Sequence, residues 1–279
     1  MPEARRTATV IGHPIAHSRS PLIHRFWLEA YDVAGDYRAE DVAPADLSTW
    51  LEGRREDDTP GGNVTVPHKE AVHGWLGPDR MDAEARAIGA VNTWWFEDGR
   101  VRGGCTDGIG FLADLDARVP EWRAADHALV IGAGGAARAV VHALRREGCD
   151  VTIANRTVER AEGLAAEFGA RAVALHETGN ALRSAGLVVN TATLGMAGTH
   201  ASEPLPHLDP CAFRSAQIAY DIVYVPLETP FLGAARAGGA RGVDGLGMLL
   251  HQAVPGFERW FGLRPEVTEA LRLHVEATL

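Results

Sequence analysis

A glycine-rich turn between a buried strand and a helix is the feature that most restricts the fold of this chain. Residues 128–131 (Ala-Leu-Val-Ile) predict a buried strand, and Gly132-Ala-Gly134-Gly135-Ala-Ala137 follows it directly. A helix-forming segment reaches Arg146, and residues 150–154 predict a second strand. A strand, a glycine turn, a helix and a second strand make up the unit that binds dinucleotides, because glycines let the backbone approach a pyrophosphate at the helix N-terminus. The alternative, a tight turn without a ligand, is less favoured in this context.

The residues after the second strand indicate which dinucleotide binds. Proteins that bind NAD commonly have Asp or Glu there, which accepts a hydrogen bond from the ribose 2′-hydroxyl. This chain has Asn155-Arg156-Thr157 instead, with Arg160 one helical turn later. No carboxylate is present to repel a 2′-phosphate, and the planar guanidinium of Arg156 suits phosphate oxygens. The pattern favours NADP; the alternative is that both arginines are ordinary exposed residues at a helix start.

Strands and helices alternate in both halves of the chain, which predicts two α/β domains with mostly parallel sheets. In the first half, strands are expected at residues 8–12, 37–41, 63–66, 91–96 and 101–105. Ser20-Pro21 predicts a helix N-cap followed by proline at the first helical position. The second half begins near residue 128 and predicts a Rossmann-type, doubly wound domain with further strands at 186–190 and 218–221. Helices at 246–261 and 265–278 lack accompanying strands and are expected to pack on the first domain.

The composition excludes several classes of function. A formal net charge of -10 argues against a nucleic-acid binder, which needs an excess of Lys and Arg. Cys105, Cys149 and Cys211 are too few and too scattered for a disulfide framework. The first residues lack the apolar run of a signal peptide, and no stretch approaches the roughly 20 apolar residues of a membrane span. We therefore expect a cytoplasmic protein without a membrane or nucleic-acid partner.

Lys69 is the only lysine among the 27 Lys and Arg residues of the chain. Arginine supplies positive charge but does not lose its proton at usable pH, whereas lysine can. A lysine kept at one position therefore indicates proton transfer, although a lysine at such a helix start is more often a solvated side chain. His68 is the competing acid/base because histidine titrates in the right range, but its ring is expected to point elsewhere.

Several segments along nearly the whole chain resemble the shikimate dehydrogenase family, in the same order and spacing. In the first half they are residues 12–21 (GHPIAHSRSP), 63–69 (NVTVPHK), 89–93 (GAVNT) and 106–108 (TDG). In the second half they are residues 132–136 (GAGGA), 155–157 (NRT), 221–224 (DIVY) and 244–253 (DGLGMLLHQA). Each segment alone is weak evidence, whereas the set is specific. The chain departs from the family at Cys105, where Asn is usual, and at Ala192, where Thr is usual.

The resemblance implies a substrate-binding domain of residues 1–107 plus 245–279 and an NADP-binding Rossmann domain of residues 108–244. The C-terminal helices would return to the first domain. It also implies a cytoplasmic oxidoreductase of aromatic amino acid biosynthesis, which reversibly reduces 3-dehydroshikimate to shikimate with NADPH. The small-molecule substrate is then the expected partner, and a homodimer is one option for the assembly.

The resemblance also assigns functional residues. Lys69 and Asp107 would be the catalytic acid/base pair. The substrate would be bound by Ser18, Ser20, Asn63, Thr65, Lys69, Asn92, Asp107, Tyr224 and Gln252. The cofactor would be bound by Gly132, Ala133, Gly134, Gly135, Ala136, Asn155, Arg156, Thr157, Arg160, Ile222 and Gly245. No metal ion is expected.

Short polar side chains suit a small acid with many hydroxyls, because they both donate and accept hydrogen bonds. Each also has a structural alternative: Ser20 and Asp107 as helix N-caps, and Asn92 as a turn residue. Two other functions remain open. A quinate/shikimate dehydrogenase that prefers NAD would share the architecture, but two serines and Asn155-Arg156 suit shikimate and NADP better. A non-catalytic NADP-binding sensor would have no need of a proton carrier at position 69.

Overall fold

Two compact α/β units make up the chain. The structure, a computed structural model, describes residues 6–56, 58–192 and 212–279. Unit 1 extends to Thr106 and resumes over Leu250–Thr278, and unit 2 spans Asp107–Leu249. Within these described ranges, no helix has both the length and the apolar character needed to cross a membrane.

Unit 1 is built on a five-stranded mixed sheet. Its strands are β1 (Arg6–Gly12), β2 (Gly35–Asp41), β3 (Gly61–Val64), β4 (Thr93–Glu97) and β5 (Arg100–Gly104). In the order β2-β1-β3-β4-β5, the first three strands are parallel, whereas β4 is antiparallel to both of its neighbours. The predicted mostly parallel sheet is therefore only partly correct for this unit. Asp98 and Gly99 join β4 to β5 with φ angles of 51° and 69°, and so tight a hairpin requires antiparallel strands.

Short helices connect the strands of unit 1. They are α1 (Ser20–Ala30), α2 (Leu47–Glu52), α3 (Lys69–Leu76) and α4 (Ala83–Ile88). Tyr37, Trp94 and Trp260 are among the largest fully buried side chains of this unit. The Trp260 indole donates a hydrogen bond to the Trp94 carbonyl at 3.0 Å, which satisfies a polar group that burial would otherwise leave unpaired.

Unit 2 contains a six-stranded parallel sheet. Its strands are β6 (His127–Ile131), β7 (Asp150–Asn155), β8 (Arg171–Ala174), β9 (Leu187–Asn190), β10 (Ile218–Asp221) and β11 (Arg241–Val243). The order β11-β10-β9-β6-β7-β8 is that of the doubly wound dinucleotide-binding fold, and it confirms the predicted Rossmann-type domain. The edge strands β8 and β11 were not predicted, because such short segments carry little periodic signal.

Helices cover both faces of the unit 2 sheet. They are α5 (Asp107–Arg118), α6 (Gly135–Arg146), α7 (Val158–Phe168), α8 (Thr178–Ser184) and α9 (Pro230–Ala237). Val130 of β6 packs in one apolar cluster with residues of α5, α6 and α7. Its neighbours Leu129 and Ile131 pack in a second cluster with residues of α8 and α9. Because successive strand residues face opposite sides, the uniformly apolar strand sequence follows from burial on both faces.

The chain ends in α10 (Leu246–Phe261) and α11 (Glu269–Glu276). The segment after α10 lies on α1, because the Trp27 indole donates to the Glu266 carbonyl at 2.9 Å. The C-terminal helices thus return to the first α/β unit, as predicted. Helix α11 is shorter than the predicted 265–278, because the Thr268 side chain caps its N-terminus by accepting from the Leu271 N–H at 3.2 Å.

A buried carboxyl group connects β10 to β9 and to α9. Asp221 accepts hydrogen bonds from the Asn190 amide (2.9 Å), the Val223 N–H (3.0 Å) and the Thr229 hydroxyl (2.6 Å). Burial nevertheless outweighs these three bonds and raises the pKa of Asp221 to about 6. The folded protein therefore holds a proton on this group more tightly than the unfolded chain does.

This difference predicts a pH-dependent stability that Asp221→Asn removes. Because the folded pKa lies above the unfolded value of 3.8, the stabilisation from Asp221 is present at low pH and is lost as pH rises through about 6. The unfolding free energy of Asp221→Asn minus that of wild type should therefore increase by about 2 kcal/mol between about pH 4 and pH 7.5. Urea unfolding measures it, with the exposed Asp58→Asn as control. A constant difference across this range would contradict the account.

Candidate active site

One edge of the unit 1 sheet collects the segments that carry most of the predicted substrate residues. β1 and β3 are parallel neighbours, so the loops that follow Gly12 and Val64 leave from the same edge. Thr93 pairs with both Asn63 and Gly104, so β4 begins and β5 ends at this edge as well. The sheet topology therefore gathers segments that are far apart in the sequence.

The loops after β1 and β3 touch through a position that only glycine fits. The His13 N–H donates to the Val66 carbonyl at 3.1 Å. A Cβ atom on Gly12 would lie 2.6 Å from the Thr65 methyl group and 2.9 Å from the Ile15 side chain. The glycine that opens the 12–21 segment thus allows this approach and holds Thr65 beside the β1 loop.

The predicted N-cap at Ser20 is wrong. Arg19 precedes the helix, Ser20 is already its first residue, and no side chain caps this end. The Ser20 N–H instead donates to the Ser18 hydroxyl oxygen at 3.3 Å, so Ser18 supplies the local acceptor. The hydroxyl of Ser20 is therefore not used in capping, and Ser18 still has its hydroxyl proton to donate. Ser18 thus keeps the donor that a carboxylate ligand needs, whereas the Ser20 side chain also interacts with the Tyr37 hydroxyl.

Lys69 begins α3 immediately after a rigid turn. The Thr65 carbonyl accepts from the His68 N–H at 2.9 Å, and the Lys69 carbonyl accepts from the Val91 N–H at 3.0 Å. The second bond fixes the Lys69 backbone next to the segment that carries Asn92. A cation at a helix N-terminus is opposed by the helix dipole by about 0.3–1 kcal/mol. The position is therefore unfavourable for a lysine that serves only as surface charge.

His68, the competing acid/base, is occupied elsewhere. Its side chain is buried, and Nε2 lies 2.7 Å from the Val42 carbonyl oxygen. Because a carbonyl only accepts, Nε2 carries the proton and donates it to this bond. The ring is thus directed into the protein at Val42, which agrees with the choice of Lys69 over His68 as the acid/base.

Two buried amides organise the rest of this edge. Asn63 Nδ2 donates to the Asn92 carbonyl and to Thr93 Oγ1, both at 3.1 Å. Asn92 Oδ1 accepts from the Thr106 N–H at 2.8 Å, and Asn92 Nδ2 donates to Gln252 Oε1 at 3.3 Å. Thr106 Oγ1 donates to the Gln252 carbonyl at 2.8 Å. Three predicted substrate residues, Asn63, Asn92 and Gln252, therefore belong to one hydrogen-bonded network.

In unit 2, the glycine turn after β6 has a closed side and an open side. Gly132 has a φ of +112°, and a Cβ atom there would lie 2.5 Å from Thr191 Oγ1. That hydroxyl donates to the Ile131 carbonyl at 2.7 Å. By contrast, no atom of the described residues lies within 4 Å of a Cβ placed on Gly134 or Gly135, and none of their side chains caps α6. The open backbone at the start of α6 fits a phosphate group.

The predicted discriminating residues follow β7. Asn155 Nδ2 donates to the Thr157 carbonyl at 2.9 Å, which shapes the turn. Arg156, Thr157 and Arg160 are exposed, so the two guanidinium groups are accessible to a ligand phosphate. No Asp or Glu occupies this turn. The residues present fit a dinucleotide with a 2′-phosphate.

Two further predicted cofactor residues, Ile222 and Gly245, meet at the end of β10. A Cβ on Gly245 would lie 2.7 Å from the Asp221 carbonyl oxygen and would overlap the Ile222 carbonyl. Only glycine therefore allows the chain after β11 to pass this strand end. Asp107, the first residue of α5, is buried, and Tyr224 is partly buried in the loop after β10.

Three polar residues at this edge of unit 1 were not among the predicted site residues. Thr93 and Thr106 bond to the Asn63 and Asn92 amides, and Tyr37 bonds to Asn63 Oδ1. Nothing in the pattern around Tyr37 distinguishes it from an ordinary strand residue. Ala192, where the chain departs from the family pattern, is the last described residue before a gap that ends at Ala212. Over all the residues that the structure describes, there is no cluster of three or more His, Cys, Asp or Glu side chains able to hold a metal ion.

The fold and these two groups of residues define a two-domain α/β protein of the dinucleotide-dependent oxidoreductase class. Residues 10–94 match the substrate-binding domain of shikimate dehydrogenase, residues 117–201 match shikimate/quinate 5-dehydrogenase, and residues 245–272 match the shikimate 5′-dehydrogenase C-terminal domain. The chain belongs to the shikimate dehydrogenase family.

Individual relatives agree with this assignment. The shikimate dehydrogenase (NADP(+)) of Brucella abortus is 54% identical over 277 residues, covering 98% of this chain and 95% of the relative. The Thermus thermophilus enzyme in complex with NADP(H) and shikimate is 40% identical, with a TM-score of 0.87 over 98% of this chain and 100% of that one. A second shikimate dehydrogenase, in complex with NADP+, has a TM-score of 0.90 at 34% identity over 98% of this chain and 96% of that one.

The contrast between Gly132 and Gly134 predicts two separable effects of substitution by alanine. Gly132→Ala should destabilise unit 2 by about 1–3 kcal/mol, because a positive φ and the Thr191 hydroxyl both oppose a Cβ. Gly134→Ala should cost less stability, at most about 1 kcal/mol because alanine is a poorer N-cap than glycine, but should raise the KM for the dinucleotide by about tenfold, because the new methyl group occupies the open side of the turn. Thermal unfolding and cofactor titration measure the two effects. Gly163→Ala, in the middle of α7 with no described residue within 4 Å of the added Cβ, should leave the KM unchanged and raise stability by about 0.5–1 kcal/mol, because alanine is favoured over glycine in a helix interior. A larger loss of stability in Gly134→Ala than in Gly132→Ala would contradict this division.

Proposed function

We propose that this protein reversibly reduces the ring ketone of 3-dehydroshikimate to the alcohol of shikimate with NADPH, in aromatic amino acid biosynthesis. The observation that carries the proposal is the position of Lys69. The single lysine of the chain begins α3 with its backbone bonded to Val91, next to the network of Asn63, Asn92 and Gln252. Relatives that match 98% of the chain support the proposal: one is named shikimate dehydrogenase (NADP(+)), and the structure of another contains NADP(H) and shikimate.

The polar network suits an alicyclic acid with several hydroxyl groups. Amide and hydroxyl side chains of Asn63, Thr65, Asn92 and Gln252 provide donors and acceptors at fixed positions, because the buried groups are held by their neighbours. Ser18 and Ser20 are proposed to donate to the substrate carboxylate, and Tyr224 to contribute on the same side. A site built from such groups rejects ligands that lack the matching hydroxyls, since its buried polar atoms would be left unpaired.

The bound dinucleotide would supply a hydride to the carbonyl carbon. Gly132 to Ala136 would hold its pyrophosphate and Asn155 to Arg160 its 2′-phosphate, with Ile222 and Gly245 beside the rest of the molecule. Lys69 as an ammonium would donate a hydrogen bond to the ketone oxygen and then its proton, which stabilises the charge that develops there. In the oxidative direction the neutral amine would take the hydroxyl proton. The expected pairing of Lys69 with Asp107 is part of this proposal.

We also propose that the protein is cytoplasmic. The cysteines among the described residues, Cys105 and Cys149, are buried thiols that form no disulfide. Unbridged thiols in a chain with few cysteines suit a reducing compartment. For the assembly, a homodimer is the alternative to a monomer, and light scattering on purified protein distinguishes the two.

The reaction is tested with four substrate and cofactor pairs. We expect shikimate with NADP to give the highest kcat/KM, above shikimate with NAD and above quinate with either dinucleotide. Arg156→Ala should reduce the preference for NADP over NAD by about 10- to 100-fold, because it removes a charge-assisted contact to the 2′-phosphate. The exposed Arg214→Ala serves as control. A higher kcat/KM with quinate and NAD would instead establish the quinate-type alternative, and binding without turnover would establish the sensor.

Proton transfer by Lys69 is tested by separating charge from acidity. Lys69→Ala should lower kcat by about 10²- to 10⁴-fold with a modest change in KM. Lys69→Arg should lower kcat almost as much, because arginine keeps the charge but does not release its proton. Glu70→Ala, an exposed neighbour on the same helix, should keep kcat within about twofold. Near-normal turnover in Lys69→Ala would exclude the residue from the chemistry, and near-normal turnover in Lys69→Arg would restrict its role to charge.

A further inference from the structure

Tyr37 lies behind the substrate edge of unit 1 and is not part of any motif noted in the sequence. It is in β2, and its side chain is fully buried. Its hydroxyl donates to Asn63 Oδ1 at 2.6 Å. A buried hydroxyl at this distance from an amide oxygen forms a strong, well-directed hydrogen bond. Tyr37 therefore acts directly on a residue of the proposed substrate site.

The hydrogen bonds of Asn63 leave its side chain only one way to bind a ligand, which is to accept a hydrogen bond. Both hydrogens of Nδ2 are used, one by the Asn92 carbonyl and one by Thr93 Oγ1. An amide oxygen has two acceptor positions, and Tyr37 occupies one of them. The amide cannot rotate by 180° without placing Oδ1 against the Asn92 carbonyl oxygen. Asn63 can therefore meet a ligand only by accepting one hydrogen bond.

The phenol of Tyr37 is itself held in place. Its ring stacks on the buried His24 ring, with 4.0 Å between centroids and 12° between planes. Burial lowers the pKa of His24 to about 3, against an opposing interaction with the Asn63 side chain. Burial also raises the pKa of Tyr37 well above its usual value, against opposing interactions with Asn63 and the Ser20 side chain. At neutral pH the imidazole is uncharged and the phenol keeps its proton. The donor to Asn63 is therefore always present.

We propose that Tyr37 is a positioning residue for substrate recognition, whose buried hydroxyl holds Asn63 as a single acceptor for one ring hydroxyl of the substrate. This rests on the proposed function, since it assigns the direction of one contact in that site. Tyr37 itself does not touch the substrate. It determines that the site selects, at this position, a group that donates a hydrogen bond rather than one that only accepts.

The acceptor role is tested on the wild-type protein with shikimate analogues. In one series each ring hydroxyl in turn is replaced by hydrogen, and in a second series by fluorine, which cannot donate. At the position that Asn63 contacts, both replacements should weaken binding to a similar degree, by about 10-fold or more. Finding that every ring position tolerates fluorine would overturn the proposal, because no group at the site would then require a donor.

The role of Tyr37 is tested with Tyr37→Phe, which removes the hydroxyl and keeps the ring on His24. We expect the KM for shikimate to rise by about 3- to 10-fold, the loss of one hydrogen bond. The values of kcat and of KM for NADP should stay within about twofold. The analogue that lacks the hydroxyl contacted by Asn63 should bind wild type and variant equally, because the pair then has no interaction left to lose. Tyr31→Phe, at an exposed position of the same unit, is the matched control.

The outcomes separate the two proposals. If wild type does not oxidise shikimate with either dinucleotide, the proposed function fails. If wild type is active and Tyr37→Phe leaves the KM for shikimate unchanged, only the inference about Tyr37 fails. A parallel change in kcat and in the KM for both substrates would show a structural role and would also overturn it.

Discussion

The hydrogen bonds of Asn92 hold together the edge of the unit 1 sheet that carries the proposed substrate residues. Its backbone N–H donates to Gly104, its carbonyl accepts from Val64, and its amide bonds to Thr106 and Gln252. One buried residue thus joins the ends of β3 and β5 to α10, which returns from the far end of the chain. A buried amide left without these partners costs about 1–3 kcal/mol per unsatisfied group. The residues that are proposed to bind the substrate are therefore also those that hold this edge together.

These residues both stabilise the edge and are proposed to bind the substrate, which explains which hydrogen-bonding groups the edge offers to a ligand. Donors and acceptors that are already satisfied by neighbours have fixed directions, so a ligand meets positions rather than flexible side chains. Both donor hydrogens of the Asn63 amide are bonded to Asn92 and Thr93, and one acceptor position of its oxygen is occupied by Tyr37. Selectivity for hydroxyl groups then follows from the few hydrogen-bonding positions that the fold leaves open.

Much of the fold could be predicted from periodicity and glycine placement. Helix α10 and strand β10 have the bounds that the apolar pattern indicates, and the glycine turn lies between β6 and α6 as expected. The pattern was less successful where few residues are involved or where partners are distant. It missed β8 and β11, placed β3 two residues too late at 63–66, and assigned Ser20 to a cap that Ser18 makes unnecessary. Local sequence does not report which acceptor is nearest in space.

The sequence alone determined the chemistry that is available: one lysine among many arginines, a glycine turn before a helix, and an arginine where NAD-binding proteins carry an acid. These are properties of residue type and short spacing, so they can be recognised without coordinates. Only the tertiary structure decided how the polar residues are used. It turned His68 toward Val42, brought Gln252 to Asn92, and placed Tyr37 behind Asn63. The physical reason is that a hydrogen bond depends on direction and distance between atoms, and these arise when strands distant in sequence become neighbours in the sheet.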